Sequence, residues 1–141
     1  MKKKRLIIIA VVMAFVAAYI VYDKMLSTGP KMKSRTVEAS LTAEALYNAF
    51  ETDENKANTL YLNKVVQVEG IVTAIHQSAE AKPVVELETN GFGLLKCTLE
   101  DSNELTNYSL TDGDRVVLKG ECIGYLLDVL LEDVIIIEIK N

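Results

Sequence analysis

The chain has 141 residues, half of them hydrophobic, which is enough for one compact domain with an appendage and too apolar for a disordered chain. Trp is absent and aromatics make up 6%, so broad stacking surfaces for bases are scarce. The net charge of −5 hides a division: residues 1–35 carry eight basic side chains against Asp23 alone, leaving seven basic and nineteen acidic groups for 36–141. The acidic part repels a phosphate backbone, because affinity for nucleic acid rests largely on Lys and Arg displacing counterions.

MKKKR opens the chain and is followed by LIIIAVVMAFVAAYIVY, residues 6–22, with no charge and no proline. Those 17 residues make about 25 Å of helix, the lower limit for a membrane span. Lys2, Lys3, Lys4 and Arg5 (residues 1–5, a basic tail) stay in the cytoplasm by the positive-inside rule, which places the rest of the chain outside it. Tyr19 and Tyr22 suit the far interface. An uncleaved signal anchor is therefore expected, with the C-terminal domain outside the cytoplasm. The alternative is a cleaved signal peptide, for which Val16-Ala17-Ala18 offers small residues, although the apolar run is longer than such peptides carry. Residues 23–40, DKMLSTGPKMKSRTVEAS, are polar, include Gly29-Pro30 and lack periodicity, so they read as a linker.

Residues 41–141 form the predicted domain, with a helical lead-in over 41–63 and a barrel over 64–140. In LTAEALYNAF the apolar positions Leu46, Tyr47 and Phe50 share a helical face, Thr42 suits the N-cap and Glu44 sits in the first turn. A second short helix follows, with Ala57, Leu60 and Tyr61 on one face. The period then changes to two. KVVQVEGIVTAIHQ (64–77), PVVELETN (83–90), GLLKCTLED (93–101), DRVVLKGECIGYL (114–126) and DVLLEDVIIIEIK (128–140) alternate as strands. Only SNELTNYSL (102–110) leaves room for a helix between them. Five strands with one helix between the third and fourth is the order of an OB-fold barrel, giving a mainly β fold. Gly70 and Gly120 fall inside strands, where a small barrel needs sharp bends or bulges; Gly124 fits a turn better.

The runs TAEALYNAF, DENKANTLYLNKVVQVEGIV, LLKCTL and DGDRVVLKGECIGYLLDVLLED, taken in this order, resemble the tRNA_anti-like family, whose bacterial members are often membrane-anchored or lipoproteins. The resemblance covers about residues 41–138 and rests on Asn55, Ala57, Asn58, Tyr61, Lys64, Gly70, Cys97, Gly113, Gly120, Cys122 and Gly124. It implies an OB fold akin to anticodon-binding domains and no particular activity. Unlike lipoprotein members, this chain has no cysteine near its N-terminus.

OB folds take ligands on the outer face of the second and third strands. Alternation turns Val85, Leu87, Leu95, Cys97 and Leu99 inward and Val84, Glu86, Glu88, Leu94, Lys96, Thr98 and Glu100 outward. Glu86 and Lys96 on that face, Lys82 before it, and His76, Phe92 and Tyr125 at its rim are the candidate ligand-binding residues. Three carboxylates against one lysine make a poor cradle for phosphate, so a protein or peptide partner is expected, with single-stranded nucleic acid as the alternative. Cys97 and Cys122 share the inward parity and either bridge the barrel as a disulfide or pack as small apolar residues. No metal cluster, cofactor motif or catalytic set is found: His76 has no nearby Ser, Cys or second His, TDGD (111–114) is a turn, and Glu132-Asp133 reads as a bulge in the last strand. A non-enzymatic binding module is the expectation.

Overall fold

In the computed structural model, residues 2–27 and 29–140 are described, except for the side chains of residues 2, 5, 6 and 23–27. The chain divides into two units, Met1–Lys31 and Met32–Asn141.

The first unit is α1, Lys2–Ser27. No polar stripe interrupts its middle, so Ile7, Val11, Phe15 and Tyr19 are all exposed on its surface. Among the described residues no helix is long and apolar enough to cross a membrane. Their unbroken apolar run, residues 7–22, makes about 24 Å of helix against about 30 Å of bilayer hydrocarbon. In the basic tail and the linker, the side chains of Lys2, Arg5, Asp23 and Lys24 lie outside the described residues.

The second unit is built on β1 (Ala39–Thr42), α2 (Ala43–Thr52), α3 (Glu54–Tyr61), β2 (Val65–His76), β3 (Val84–Leu87), β4 (Leu95–Leu99), α4 (Asn103–Tyr108), β5 (Arg115–Tyr125) and β6 (Val129–Lys140). The sheet runs β1-β2-β3-β4-β6-β5 and closes through β2 pairing with β5. Five strands, β2 to β6, thus form a closed OB barrel, with α4 between its third and fourth strands and its third and fifth strands parallel. β1 is a sixth strand. It lies parallel to β2, with Ala39 opposite Val66, and begins in the last two residues of the segment whose composition reads as a linker. A 3-10 turn, Met32–Ser34, precedes it and buries Met32 against Val65 and Ile135. Side-chain and backbone bonds tie this entry down: Glu38 N–H donates to the Val65 carbonyl at 2.8 Å, and Val65 N–H donates back to Glu38 Oε2 at 2.9 Å. Lys119, only 7% exposed, donates to the carbonyls of Lys33 and Arg35, while Arg35 pairs with Glu121.

The predicted inward parity matches the packing. Val85, Leu87, Leu95, Cys97 and Leu99 are all fully buried. α2 is capped by Thr42, whose hydroxyl accepts from Ala45 N–H at 3.1 Å, and its face of Ala43, Leu46, Tyr47 and Phe50 packs into the barrel's apolar core. In α3, Ala57 is buried but Leu60 is 45% exposed, because the helix has only eight residues and one turn of it meets the core. The bends also have identifiable causes. A Cβ on Gly120 would lie 2.5 Å from Val134 Cγ2, and the β5–β6 register shifts on either side of that residue. At Glu132-Asp133 the last strand bulges: Asp133 has φ 51°, and the pairing of β4 with β6 jumps from Leu131 to Val134.

Candidate functional site

Outward positions on β3 and β4 are set by the same parity that buries their neighbours, so Glu86 and Lys96 stand directly opposite one another. Lys96 Nζ is 3.8 Å from Glu86 Oε1 and 2.8 Å from Asp128 Oδ2, where Asp128 lies in the loop between β5 and β6. His76, at the end of β2, places Nε2 3.4 Å from the same Glu86 oxygen. Lys82, in the loop before β3, reaches Asp133 at the bulge of β6, 3.1 Å away. Lys96, Lys82 and His76 therefore each lie beside a carboxylate.

These contacts shift the ionisation of the central pair. Burial pushes the Asp128 carboxyl up, but the Lys96 ammonium and the Leu94 amide, both bonded to it, outweigh burial and hold it below the usual carboxylate range. The bond to Asp128 in turn raises Lys96 above the usual lysine range. Both groups stay charged at neutral pH.

The sequence candidates do not all meet. His76, Glu86 and Lys96 form one linked group, and Lys82 belongs to a separate pair. Phe92 sits in the loop between β3 and β4 and is fully exposed. Tyr125 turns toward α2 instead of rimming the cleft. Its ring stacks on Phe50 with centroids 5.7 Å apart and meets Tyr47 edge-on at 6.1 Å. Gly124, with φ +147°, and the register shift beside it account for the change of direction. Asp128 and Asp133, which complete the two ion pairs, are not visible as partners in the sequence. Their only signal there is an acidic residue in a loop or bulge that opens onto the face.

Cys97 and Cys122 are free thiols, both fully buried, and the bridged alternative fails on distance. Each pairs in register with Leu131, Cys97 from β4 and Cys122 from β5, so β6 lies between them. Two strand spacings are about 10 Å, beyond the roughly 7 Å between Cα atoms that a disulfide spans. Burial pushes both thiols up, Cys122 to about 11, so neither is a reactive thiolate at neutral pH. Among the described residues no group of His, Cys, Asp and Glu is placed to hold a metal ion.

The closed five-strand order, the helix between its third and fourth strands and the paired outer face make an OB module. The tRNA_anti-like family matches residues 1–135, nearly the whole length. The chain belongs to the tRNA_anti-like family. Among solved structures, this tRNA_anti-like chain is similar to a candidate nucleic acid-binding lipoprotein from Klebsiella pneumoniae. They share 18% identity and a TM-score of 0.56, over 69% of this chain and 91% of the other. At that identity the similarity concerns the fold. The S. pombe Stn1–Ten1 complex gives a TM-score of 0.40 at 19% identity, over 52% of this chain and 58% of the other. Yeast Stn1 and Ten1 give 0.42 at 13% identity, over 82% and 69%. No curated protein matches the chain.

Proposed function

We propose that this tRNA_anti-like protein is a non-enzymatic binding module, displayed outside the cytoplasm from an N-terminal membrane anchor, whose partner is a protein or peptide. One observation carries the choice of partner. On the outer face of β3 and β4, Lys96, Lys82 and His76 each lie beside a carboxylate, Asp128, Asp133 and Glu86 respectively. A strand of phosphates would have to displace those carboxylates before gaining a contact, and it would then meet their charge. Of the rim aromatics, Tyr125 is committed against Phe50 and Tyr47, which leaves Phe92 as the exposed ring. Polar carboxylate-rich surface of this kind complements lysine and arginine side chains.

The membrane reading is supported by the uncharged stretch of residues 6–22 behind four consecutive basic residues, and by the exposure of apolar side chains along α1. In intact spheroplasts, external protease should remove the barrel; a barrel protected until the membrane is lysed would overturn this part.

The second reading is a single-stranded nucleic-acid binder, favoured by the name of the Klebsiella lipoprotein that shares this fold. Fluorescence polarisation of labelled single-stranded RNA and DNA against the full chain at low salt separates the two. No binding is expected. Tight, salt-sensitive binding would decide for nucleic acid.

A further inference from the structure

Beside the ion-paired face, two loops touch each other. Leu94 N–H donates to Asp128 Oδ1 at 2.8 Å, and Val129 N–H donates to the Leu94 carbonyl at 3.0 Å. A Cβ on Gly93 would come within 2.1 Å of the Leu127 carbonyl oxygen, so glycine is what allows the loops to meet. From this junction three apolar side chains face solvent: Phe92 is 100% exposed, Leu126 87% and Leu127 64%. Isolated exposed leucines are ordinary, but three large apolar residues on two adjoining loop tips are not.

The loop that carries Phe92 is held from several sides. Gly93 N–H donates to the buried Tyr47 hydroxyl at 3.0 Å, and a Cβ on Gly91 would strike the Tyr47 ring at 2.1 Å. Thr89 hydroxyl bonds the Gly93 carbonyl, and Asn90 Nδ2 donates to Glu44 Oε1 at 2.6 Å. Nothing in this network packs Phe92. A fixed loop that spends its contacts on holding a phenylalanine in water has the form of a binding anchor, since little entropy remains to be lost when it docks.

Charge selects what docks there. Glu44 accepts a bond from Asn90 of the Phe92 loop, and Asp128 bonds the junction of the two loops. Lys96, the cation touching the junction, is bound to Asp128. We propose that Phe92, Leu126 and Leu127 form a preorganised anchor for a protein segment that carries apolar side chains flanked by lysine or arginine. This rests on the protein-partner reading and specifies its surface and its chemistry. The same carboxylates repel an anionic lipid surface.

The test uses the full chain in uncharged detergent micelles and fluorescence anisotropy of a synthetic amphipathic leucine–lysine peptide, with a leucine–glutamate peptide as its counterpart. Phe92→Ser should weaken the leucine–lysine peptide about tenfold, and Leu126→Ser about threefold, as expected for truncating exposed anchor residues. The leucine–glutamate peptide should not bind. Because Phe92 is fully exposed, its variant should keep the wild-type circular dichroism spectrum. Undiminished binding by both serine variants would overturn the anchor, and so would equal binding of the acidic peptide. In nanodiscs of phosphatidylglycerol, hydrogen exchange slowed at residues 88–94 and 126–128 without peptide would assign the patch to lipid and overturn it as well. Tight binding of an oligonucleotide would instead overturn the broader protein-partner reading, which keeps the two failures apart.

Discussion

The end of the barrel closed by α2 and the outer face of β3 and β4 use the same strands for opposite purposes. At the closed end, Tyr47 and Phe50 are buried, and Tyr125 packs against both rings. Gly91 and Gly93 make room for the Tyr47 ring, and its hydroxyl satisfies the Gly93 amide. On the outer face, contacts are ion pairs between partly exposed side chains, such as Lys96–Asp128 and Lys82–Asp133. Burial and shape complementarity are strong in the first case, while solvent screens the second. Stability is thus concentrated where the barrel is plugged, and the outer face can change charge or contacts at small cost to folding.

That contrast can be tested quantitatively. The largest effect should come from Tyr47→Ala, which removes a buried ring from the core and orphans the Gly93 amide: a loss of about 3–5 kcal/mol in urea unfolding. Gly93→Ala comes next, since its methyl meets the Leu127 carbonyl and the Tyr47 ring; about 1–3 kcal/mol is expected, read from the same titration. A wild-type midpoint for either variant would show that the plug does not hold the barrel.

On the outer face, Lys96→Ala should cost at most about 1 kcal/mol, and less in high salt. Asp128 adds a pH signature. Its folded pKa is depressed, so its contribution is fully present above the unfolded value of about 3.9 and is lost as pH falls through the lower folded value. Urea midpoints of the wild type should fall over that acid window, and those of Asp128→Asn should fall less. A slope identical in both would remove Asp128 from the account. The smallest expected effect is none. Reductant should leave the unfolding midpoint unchanged, because Cys97 and Cys122 are unbridged, and a midpoint lowered by reductant would contradict the spacing across β6.

Much of the barrel is legible in the sequence because its period is local. Alternation alone turns Val85, Leu87, Leu95, Cys97 and Leu99 inward, and the helical face of Leu46, Tyr47 and Phe50 is equally plain. What stays hidden depends on partners distant in the chain. β1 has four residues of no marked strand character and exists because β2 offers Val66 to Glu69 as a template. The direction of Tyr125 cannot be counted along β5, since Gly124 and the adjoining register shift break the parity on which counting relies. Shared inward parity likewise leaves Cys97 and Cys122 free to face each other, whereas their true separation depends on which strand lies between them. Of the candidate site, Glu86 and Lys96 are readable as outward residues of one face with His76 at its rim; Asp128, Leu126 and Leu127 come from a loop whose position only the closed sheet fixes.

The stitched entry of the second unit has a mechanical consequence. Tension arriving at Met32 would be resisted first by the Arg35–Glu121 pair, the Lys119 ammonium on two carbonyls and the reciprocal Glu38–Val65 bonds, all upstream of α2. A pull applied at Met32 would therefore load this seam before it reaches the helix that plugs the barrel.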